Sequence, residues 1–207
     1  DYRDAIDQPV DLVPSGPDPS AARPFTLQVP DAQATARLND ALYRVTGDAN
    51  GRVDATQNAA TLTFEYQDAS GLRSTKQFRF EPANYVVTFS ADVRNGDMVL
   101  NPAIVWGPGL GDIGARTGGG SFFTGNYVQP PQAIYHRDGD VERLTREDLG
   151  EQPAHEGQFR FAGVDDHYFL AAGLDPGQAR LEFQPLTIPG EGETERQLLS
   201  HTLRLPQ

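Results

Sequence analysis

The sequence predicts an all-β protein with minor α content, built from antiparallel strands. Short segments of alternating apolar and polar residues recur along the chain, turn residues separate them at short intervals, and no long helical periodicity competes with them. This spacing of strands and turns is typical of an antiparallel sandwich or barrel.

The first 60 residues predict loops and short elements. Residues 1–24 are rich in Asp, Pro, Ser and Ala, which indicates a loop or extended chain. A short half-buried strand is predicted at Phe25–Val29, followed by a weakly patterned helical turn at Asp31–Asp40 and another short strand at Ala41–Val45.

The middle of the chain carries the clearest strand pattern. Apolar and polar residues alternate strictly in Thr61–Gln67, which predicts a strand with one buried face. Return strands are predicted at Ser74–Phe80 and Tyr85–Arg94, and Asn95-Gly96 is a strong hairpin signal. Three consecutive antiparallel strands of this kind form a meander.

The rest of the chain predicts further short strands and one long loop. A strand interrupted at Pro102 is predicted at Val99–Trp106, and the Gly-rich loop 107–129 follows; structureless loops of this length are usually functional or mobile. The remaining strands are predicted at Ala133–His136 and Val141–Leu144 around an Asp138-Gly139 turn, Gln158–Phe161 and His167–Ala172 around a turn containing Gly163, Ala179–Leu186, and Gln197–Leu205 after a solvated loop at Pro189–Glu195.

Composition limits the function classes. The 207 residues include no cysteine, which excludes a disulfide framework and thiolate metal sites. The formal net charge of -12 argues against nucleic acid, whose binding depends on Lys and Arg, and against an electrostatic grip on anionic lipids. No composition shift divides the chain, so we predict a single domain over residues 1–207.

Two motifs lack the context that their chemistry needs. Gly109–Gly114 matches the dinucleotide pattern GxGxxG, but no helix can open in the Gly-rich sequence that follows it. Asp138–Glu142 resembles the start of a calcium loop, but it lacks the required glycine and glutamate at later positions. A flexible loop and a turn are the better interpretations.

The four histidines do not form a recognisable metal site. They are His136, His155, His167 and His201, and none has HxH or HExxH spacing. We expect His155 to be exposed in a polar loop. Asp165-Asp166 beside His167 could support acid/base chemistry, but adjacent residues of a strand point to opposite faces. We therefore expect no catalytic site, no metal and no cofactor.

Aromatic residues on the Gly-rich loop are the candidate contact residues. Phe122, Phe123 and Tyr127 interrupt a polar, glycine-rich segment. They either fold back onto the core or form a patch that contacts a partner.

Several segments together resemble a known family. Thr61–Asp68, Phe78–Phe80 and Tyr85–Val87 are similar to the large periplasmic domain of YidC-type membrane protein insertases, as is Ala133–Tyr135. Gly163–Ala172 (GVDDHYFLAA) is the most specific stretch and resembles the family signature before the final strands. The resemblance covers about residues 9 to 205. Many members carry Trp where Phe161 stands here.

The resemblance implies a fold and a location. Such domains adopt an antiparallel β-supersandwich similar to galactose-mutarotase-like carbohydrate proteins. They lie on the periplasmic side of the bacterial inner membrane, and transmembrane segments that this sequence does not contain anchor their parent proteins. The family domain usually begins a few strands earlier, so we expect this chain to be a fragment that lacks the first strands.

The resemblance also implies a function. The parent proteins insert and fold inner-membrane proteins, alone or with the Sec translocon, and the periplasmic domain is a non-catalytic accessory. Its expected partners are Sec subunits such as SecF and SecD and, through the parent, nascent membrane proteins. Two alternatives stay open: a carbohydrate-binding or carbohydrate-modifying supersandwich protein, and a spacer that only stabilises the parent.

Overall fold

The computed structural model of the chain describes Val13 and residues 22–47, 51–110, 130–166, 169–189 and 195–206. These ranges contain twelve strands and two short helices, which confirms the all-β class with minor α content. In chain order the elements are β1 (Thr26–Gln28), α1 (Ala32–Asp40), β2 (Arg44–Thr46), β3 (Ala60–Gln67), β4 (Leu72–Phe80), β5 (Val87–Asn95), β6 (Met98–Leu100), β7 (Ala103–Trp106), β8 (Gln132–Arg137), β9 (Asp140–Leu144), α2 (Arg146–Glu151), β10 (Ala154–Asp165), β11 (Leu170–Pro189) and β12 (Glu195–Arg204).

The strands form two sheets. The seven-stranded sheet has the order β1-β7-β12-β11-β10-β8-β9, and the five-stranded sheet has the order β2-β3-β4-β5-β6. The pairings within β2–β6 and from β7 across to β9 are antiparallel. The chain divides into two compact units, Leu27–Ala103 and the remainder. The single domain over residues 1–207 stays a prediction.

The smaller unit, Leu27–Ala103, contains the predicted meander. Strands β3, β4 and β5 are consecutive neighbours, and the turn after Asn95 leads into β6. One face of the sheet is aromatic: the ring centroids of Phe64 and Phe78 are 5.6 Å apart, and those of Phe78 and Phe89 are 4.8 Å apart. The alternation of the sequence thus produces one apolar face, as a half-buried sheet requires.

Helix α1 forms within the segment Asp31–Asp40 that was predicted as a weakly patterned helical turn. Asp31 caps it, because its carboxylate accepts the N–H of Ala34 at 2.6 Å. Ala34 and Leu38 are buried, and the Asn39 side chain bonds both the N–H and the C=O of Leu27. The strand predicted at Ala41–Val45 is displaced to Arg44–Thr46, since the helix continues to Asp40.

The larger unit, Asp1–Thr26 with Ile104–Gln207, has a hydrophobic cluster on one face of its sheet, which we call the core face. Helix α2 was not predicted; Thr145 and Asp148 form a reciprocal capping box at its start, and Leu149 is buried in the cluster. The buried members of the cluster are Leu110, Ala133, Tyr135, Leu149, Phe159, Ala162, Val164, Ala179, Leu181, Phe183 and Leu199.

The single strand predicted at Val99–Trp106 is wrong. The segment forms two strands that belong to different sheets: β6 ends at Leu100 in the five-stranded sheet, and β7 begins at Ala103 in the seven-stranded sheet. Pro102 lies between them. Because proline lacks the N–H that a continuous ladder needs, the chain leaves one sheet before it enters the other.

The turn predicted around Gly163 is also wrong, because Gly163 lies inside β10. A Cβ atom at this position would lie 2.0 Å from the carbonyl oxygen of Ala171 and 2.6 Å from the Cα of Ala172. Both contacts are with the backbone of β11, so no side chain can move aside. The glycine is required by the close approach of two strands.

We expect Gly163→Ala to lower the free energy of unfolding by roughly 1–3 kcal/mol, the usual cost of overpacking a well-packed site. Urea unfolding followed by circular dichroism measures the change. Gly150→Ala is the control, because nothing lies within 4 Å of a Cβ at that position of α2. The control should leave stability unchanged or raise it by up to about 1 kcal/mol. Equal effects of the two substitutions would contradict the role of the close approach.

Candidate functional site

The candidate contact residues predicted from the sequence lie outside the described part of the chain. Phe122, Phe123 and Tyr127 fall in residues 111–129, and the partner-contact prediction therefore stays a prediction. Of the Gly-rich loop 107–129, residues 107–110 are described. Leu110 there is buried in the core cluster.

Three of the four histidines belong to the seven-stranded sheet, and His167 lies outside the described residues. The expected exposure of His155 is wrong: it is buried, because β10 begins at Ala154 and places His155 beside Leu181 on the core face. His201 is also buried, and His136 is half-buried. Among the described residues, no group of three or more His, Asp or Glu side chains could hold a metal ion.

The carboxylates next to His167 have structural partners. Asp165 is buried and accepts a hydrogen bond from Nε of Arg143 at 2.9 Å. Asp166 accepts the backbone N–H of Phe169 at 2.8 Å, which closes the turn into β11. Arg143 and the Phe169 N–H each satisfy one carboxylate oxygen of these residues, while Oδ1 of Asp165 is buried without a hydrogen-bond partner.

A buried polar cluster lies on the core face. The Tyr135 hydroxyl donates to Oε2 of Glu142 at 2.8 Å and lies 3.3 Å from Nδ1 of His155. Arg137 donates to Oε1 of Glu142 at 3.2 Å. Burial, reinforced by the Glu142 carboxylate, raises the pKa of Tyr135 to about 12, and burial lowers the pKa of His155. Tyr135 therefore stays protonated and His155 stays neutral near pH 7.

His201 lies in an aromatic environment. Its ring stacks on Trp106 with centroids 6.4 Å apart and packs against Phe183 at 6.3 Å. Burial lowers the pKa of His201 to about 4. Because the charged imidazolium would be placed among apolar rings, His201 is neutral in the folded protein at neutral pH.

Two surface cavities of about 310 and 190 Å³ lie in the larger unit. The first is lined by residues of the β8, α2 and β12 regions, and the second by residues of β10, β11 and the C-terminal segment. Neither is lined by Tyr135, His155 or His201. These groups can support the fold, but a substrate cannot reach them through either cavity.

The opposite face of the same sheet, which we call the outer face, carries an accessible surface. Its residues pair across four strands in rows. One row is Val141, His136, Phe161 and Leu174, the next is Arg143, Ile134, Gly163 and Ala172, and the third is Gln132, Asp165 and Leu170. Since paired residues of adjacent strands share a face, these side chains form one continuous surface.

Four apolar side chains of this surface and the ring of His136 form what we call the outer patch: Val141, His136, Phe161, Leu174 and Leu170. Val141, Leu170 and Leu174 are 49%, 55% and 56% exposed. Phe161 and His136 are half-buried, and their rings pack with centroids 5.9 Å apart. Contiguous exposed apolar surface of this kind often marks an interaction site.

The Arg143–Asp165 ion pair fixes the shape of the outer face. Arg143 is on β9 and Asp165 is on β10, so the Arg143 side chain crosses β8, which lies between them. Ile134, the register partner of Arg143, is only 4% exposed. Beside it Gly163 and Ala172 carry little or no side chain. Ile134 and Gly163 are buried, so between Phe161 and Leu174 on one side and Leu170 on the other this row exposes mainly Ala172 and the Arg143 side chain.

One sequence feature indicates this surface, although it does not follow the alternation of apolar and polar residues. Leu170–Leu174 reads Leu-Ala-Ala-Gly-Leu, an uninterrupted apolar run in which both strand faces are apolar. One face covers the core through Ala171, and the other exposes Leu170 and Leu174. A continuous apolar run does not say which of its two faces is covered.

We expect the burial of His155 and His201 to make the fold acid-sensitive. Both folded pKa values lie below the value of 6.5 in the unfolded chain, so the unfolded state binds protons first as pH falls. Stability is full above pH 6.5, and His201 alone lowers it by about 1.4 kcal/mol per pH unit until about pH 4.

Urea unfolding at several pH values measures this effect by comparison with His201→Gln and with His155→Gln/His201→Gln. Carboxylates also contribute to acid unfolding, and they contribute equally in each protein. The variants should therefore show a smaller loss of stability between pH 6.5 and 4 than the wild type. Parallel profiles for all three proteins would contradict the assignment.

Comparison with known proteins gives one family. A family model described as the YidC periplasmic domain matches residues 1–200. No curated protein matches the chain.

Proposed function

The chain belongs to the YidC periplasmic domain family, and from this premise we propose that it is an accessory, non-catalytic interaction module of a YidC-type insertase. Family membership implies a periplasmic location. The match over residues 1–200 is the observation that carries the proposal. In the proposed arrangement the domain is held at the inner membrane by its parent protein and contacts periplasmic regions of Sec subunits or emerging membrane proteins.

The described surface supports a contact function over a catalytic one. Three polar groups with shifted pKa values, Tyr135, His155 and His201, are buried on the core face and line neither cavity. The outer patch, in contrast, is accessible, and four of its five side chains are apolar. An exposed apolar surface on a rigid sheet is suited to binding another polypeptide.

The carbohydrate-binding alternative has less support. Sugar-converting chemistry in such a fold needs a histidine and a carboxylate that converge in an open cleft. Among the described residues, the close histidine and glutamate are His155 and Glu142, and the Tyr135 hydroxyl lies between them in the buried cluster. Saturable sugar binding in calorimetry would restore this alternative.

The membrane contacts of the proposed function would come from other parts of the parent protein. No helix within the described ranges is long and apolar enough to cross a bilayer. The net charge of -12 also opposes attraction to anionic headgroups. The module would then work by protein contacts on its own surface.

We expect the purified chain, immobilised on a resin, to retain the purified periplasmic regions of SecD or SecF. In a separate experiment in cells, we expect the domain within its parent protein to cross-link to a membrane protein that is being inserted. A second resin carrying an unrelated acidic β-sandwich domain is the control for charge and fold class. We expect the resin with the chain to retain more Sec protein than the control resin. Added salt should lower the amount retained, because it screens exposed charges at the edge of the interface. Failure of both Sec binding and cross-linking would contradict the accessory interaction role.

A further inference from the structure

Resting on the proposed function, we propose that the outer patch docks a short extended polypeptide segment whose apolar side chains are flanked by Lys or Arg. The segment lies flat on the face of β10 and β11. Its backbone pairs with no strand of the sheet, and its alternate side chains contact the patch.

The size of the patch favours a short segment over a second copy of the chain. Stable protein interfaces bury about 20–30 residues on each side. The outer patch consists of five side chains, and the Arg143–Asp165 pair closes it on the β9 side. A contact of this extent provides a weak, reversible interaction, as a segment in transit needs.

The spacing of the patch matches an extended chain. Leu170 and Leu174 are on the same face of β11 and four residues apart, so their Cα atoms are separated by roughly 13 Å. Three alternate side chains of an extended segment span the same roughly 13 Å. The two outer side chains can contact Leu170 and Leu174, while the middle one lies over the half-buried Ala172.

The arginines beside the patch are already neutralised. Nε of Arg143 contacts Oδ2 of Asp165 at 2.9 Å, and Nε of Arg160 contacts Oδ1 of Asp175 at 3.5 Å. These pairs leave no excess positive charge beside Phe161 or beside Leu170. A partner segment with acidic flanks would therefore gain little from them.

The turn between β8 and β9 adds negative charge next to Val141. Asp138 and Asp140 are both exposed there, and the nearby Arg137 shares its guanidinium between Asp138, at 3.8 Å, and Glu142, at 3.2 Å. Arg137 and Glu142 lie on the core face and pair with one another, so Asp138 and Asp140 give the turn an excess of negative charge. Together with the net charge of -12, this edge favours a segment with basic residues beside its apolar core.

The test uses a fluorescein-labelled peptide, Lys-Lys-Val-Thr-Leu-Thr-Val-Lys-Lys, and measures its binding to the chain by fluorescence anisotropy. The same peptide with Glu in place of each Lys tests the charge requirement. We expect the basic peptide to bind in a saturable and salt-dependent manner, and the acidic peptide to bind about tenfold more weakly or not at all.

Two pairs of substitutions locate the binding. Leu170→Ser/Leu174→Ser removes the two exposed leucines of the patch, and Leu42→Ser/Met98→Ser is the matched control at sites 96% and 66% exposed in the smaller unit. The patch variant should weaken binding about tenfold, while the control variant should bind as the wild type does. If the patch variant unfolds, Asp138→Lys/Asp140→Lys replaces it and should also weaken binding.

The proposal is overturned if neither peptide binds the wild type, if the patch and control variants bind equally, or if the acidic peptide binds as tightly as the basic one. Its failure is distinguishable from failure of the proposed function. Binding to SecD or SecF that persists in the patch variant removes this docking surface but keeps the interaction role. Peptide binding at the patch without any contact to Sec subunits or inserted proteins keeps this docking surface but contradicts the interaction role.

Discussion

The larger unit depends on the antiparallel pairing of β10 with β11. β11 is 20 residues long; its residues 170–182 are in register with β10 and its residues 180–189 with β12, so the two pairings overlap over three residues. This pairing brings the backbones so close at Gly163 that a single methyl group would collide with Ala171. Both faces of the sheet follow from it, because the register decides which side chains of β10 and β11 point to each face.

Several polar side chains lie on the core face, and burying them costs desolvation free energy. Different contacts offset this cost for different side chains. Tyr135 and Glu142 satisfy one another by a hydrogen bond, and Arg137 compensates the carboxylate charge. His155 and His201 remain neutral, so burial costs only the desolvation of an uncharged ring. Because these histidines are buried in the neutral form, they cost little stability at pH 7 but lower the stability of the fold in acid. This effect is relevant to a domain exposed to the medium of the periplasm.

Each element was predicted well where the local pattern of apolar and polar residues was strong, and poorly where it was weak. Thr61–Gln67 was predicted almost to the residue, since its alternation is strict and its turns are explicit. Helix α2 was missed because six residues carry too little periodicity, although its Thr145–Asp148 capping box is present in the sequence. Gly163 was placed in a turn because a glycine signals flexibility locally, whereas here it serves a contact with a strand that follows later in the chain.

The sequence by itself determined the strand content, the meander, the family, the lack of metal-site histidine spacings and the lack of the helix that a dinucleotide motif needs. Tertiary structure decided which side chains are accessible. His155 looks exposed beside Glu156, but strand pairing with Leu181 buries it, and Leu170 and Leu174 look like core residues, but the outer face exposes them. The physical reason is that alternation reports the two faces of a strand, while only the pairing of distant strands determines which face is covered.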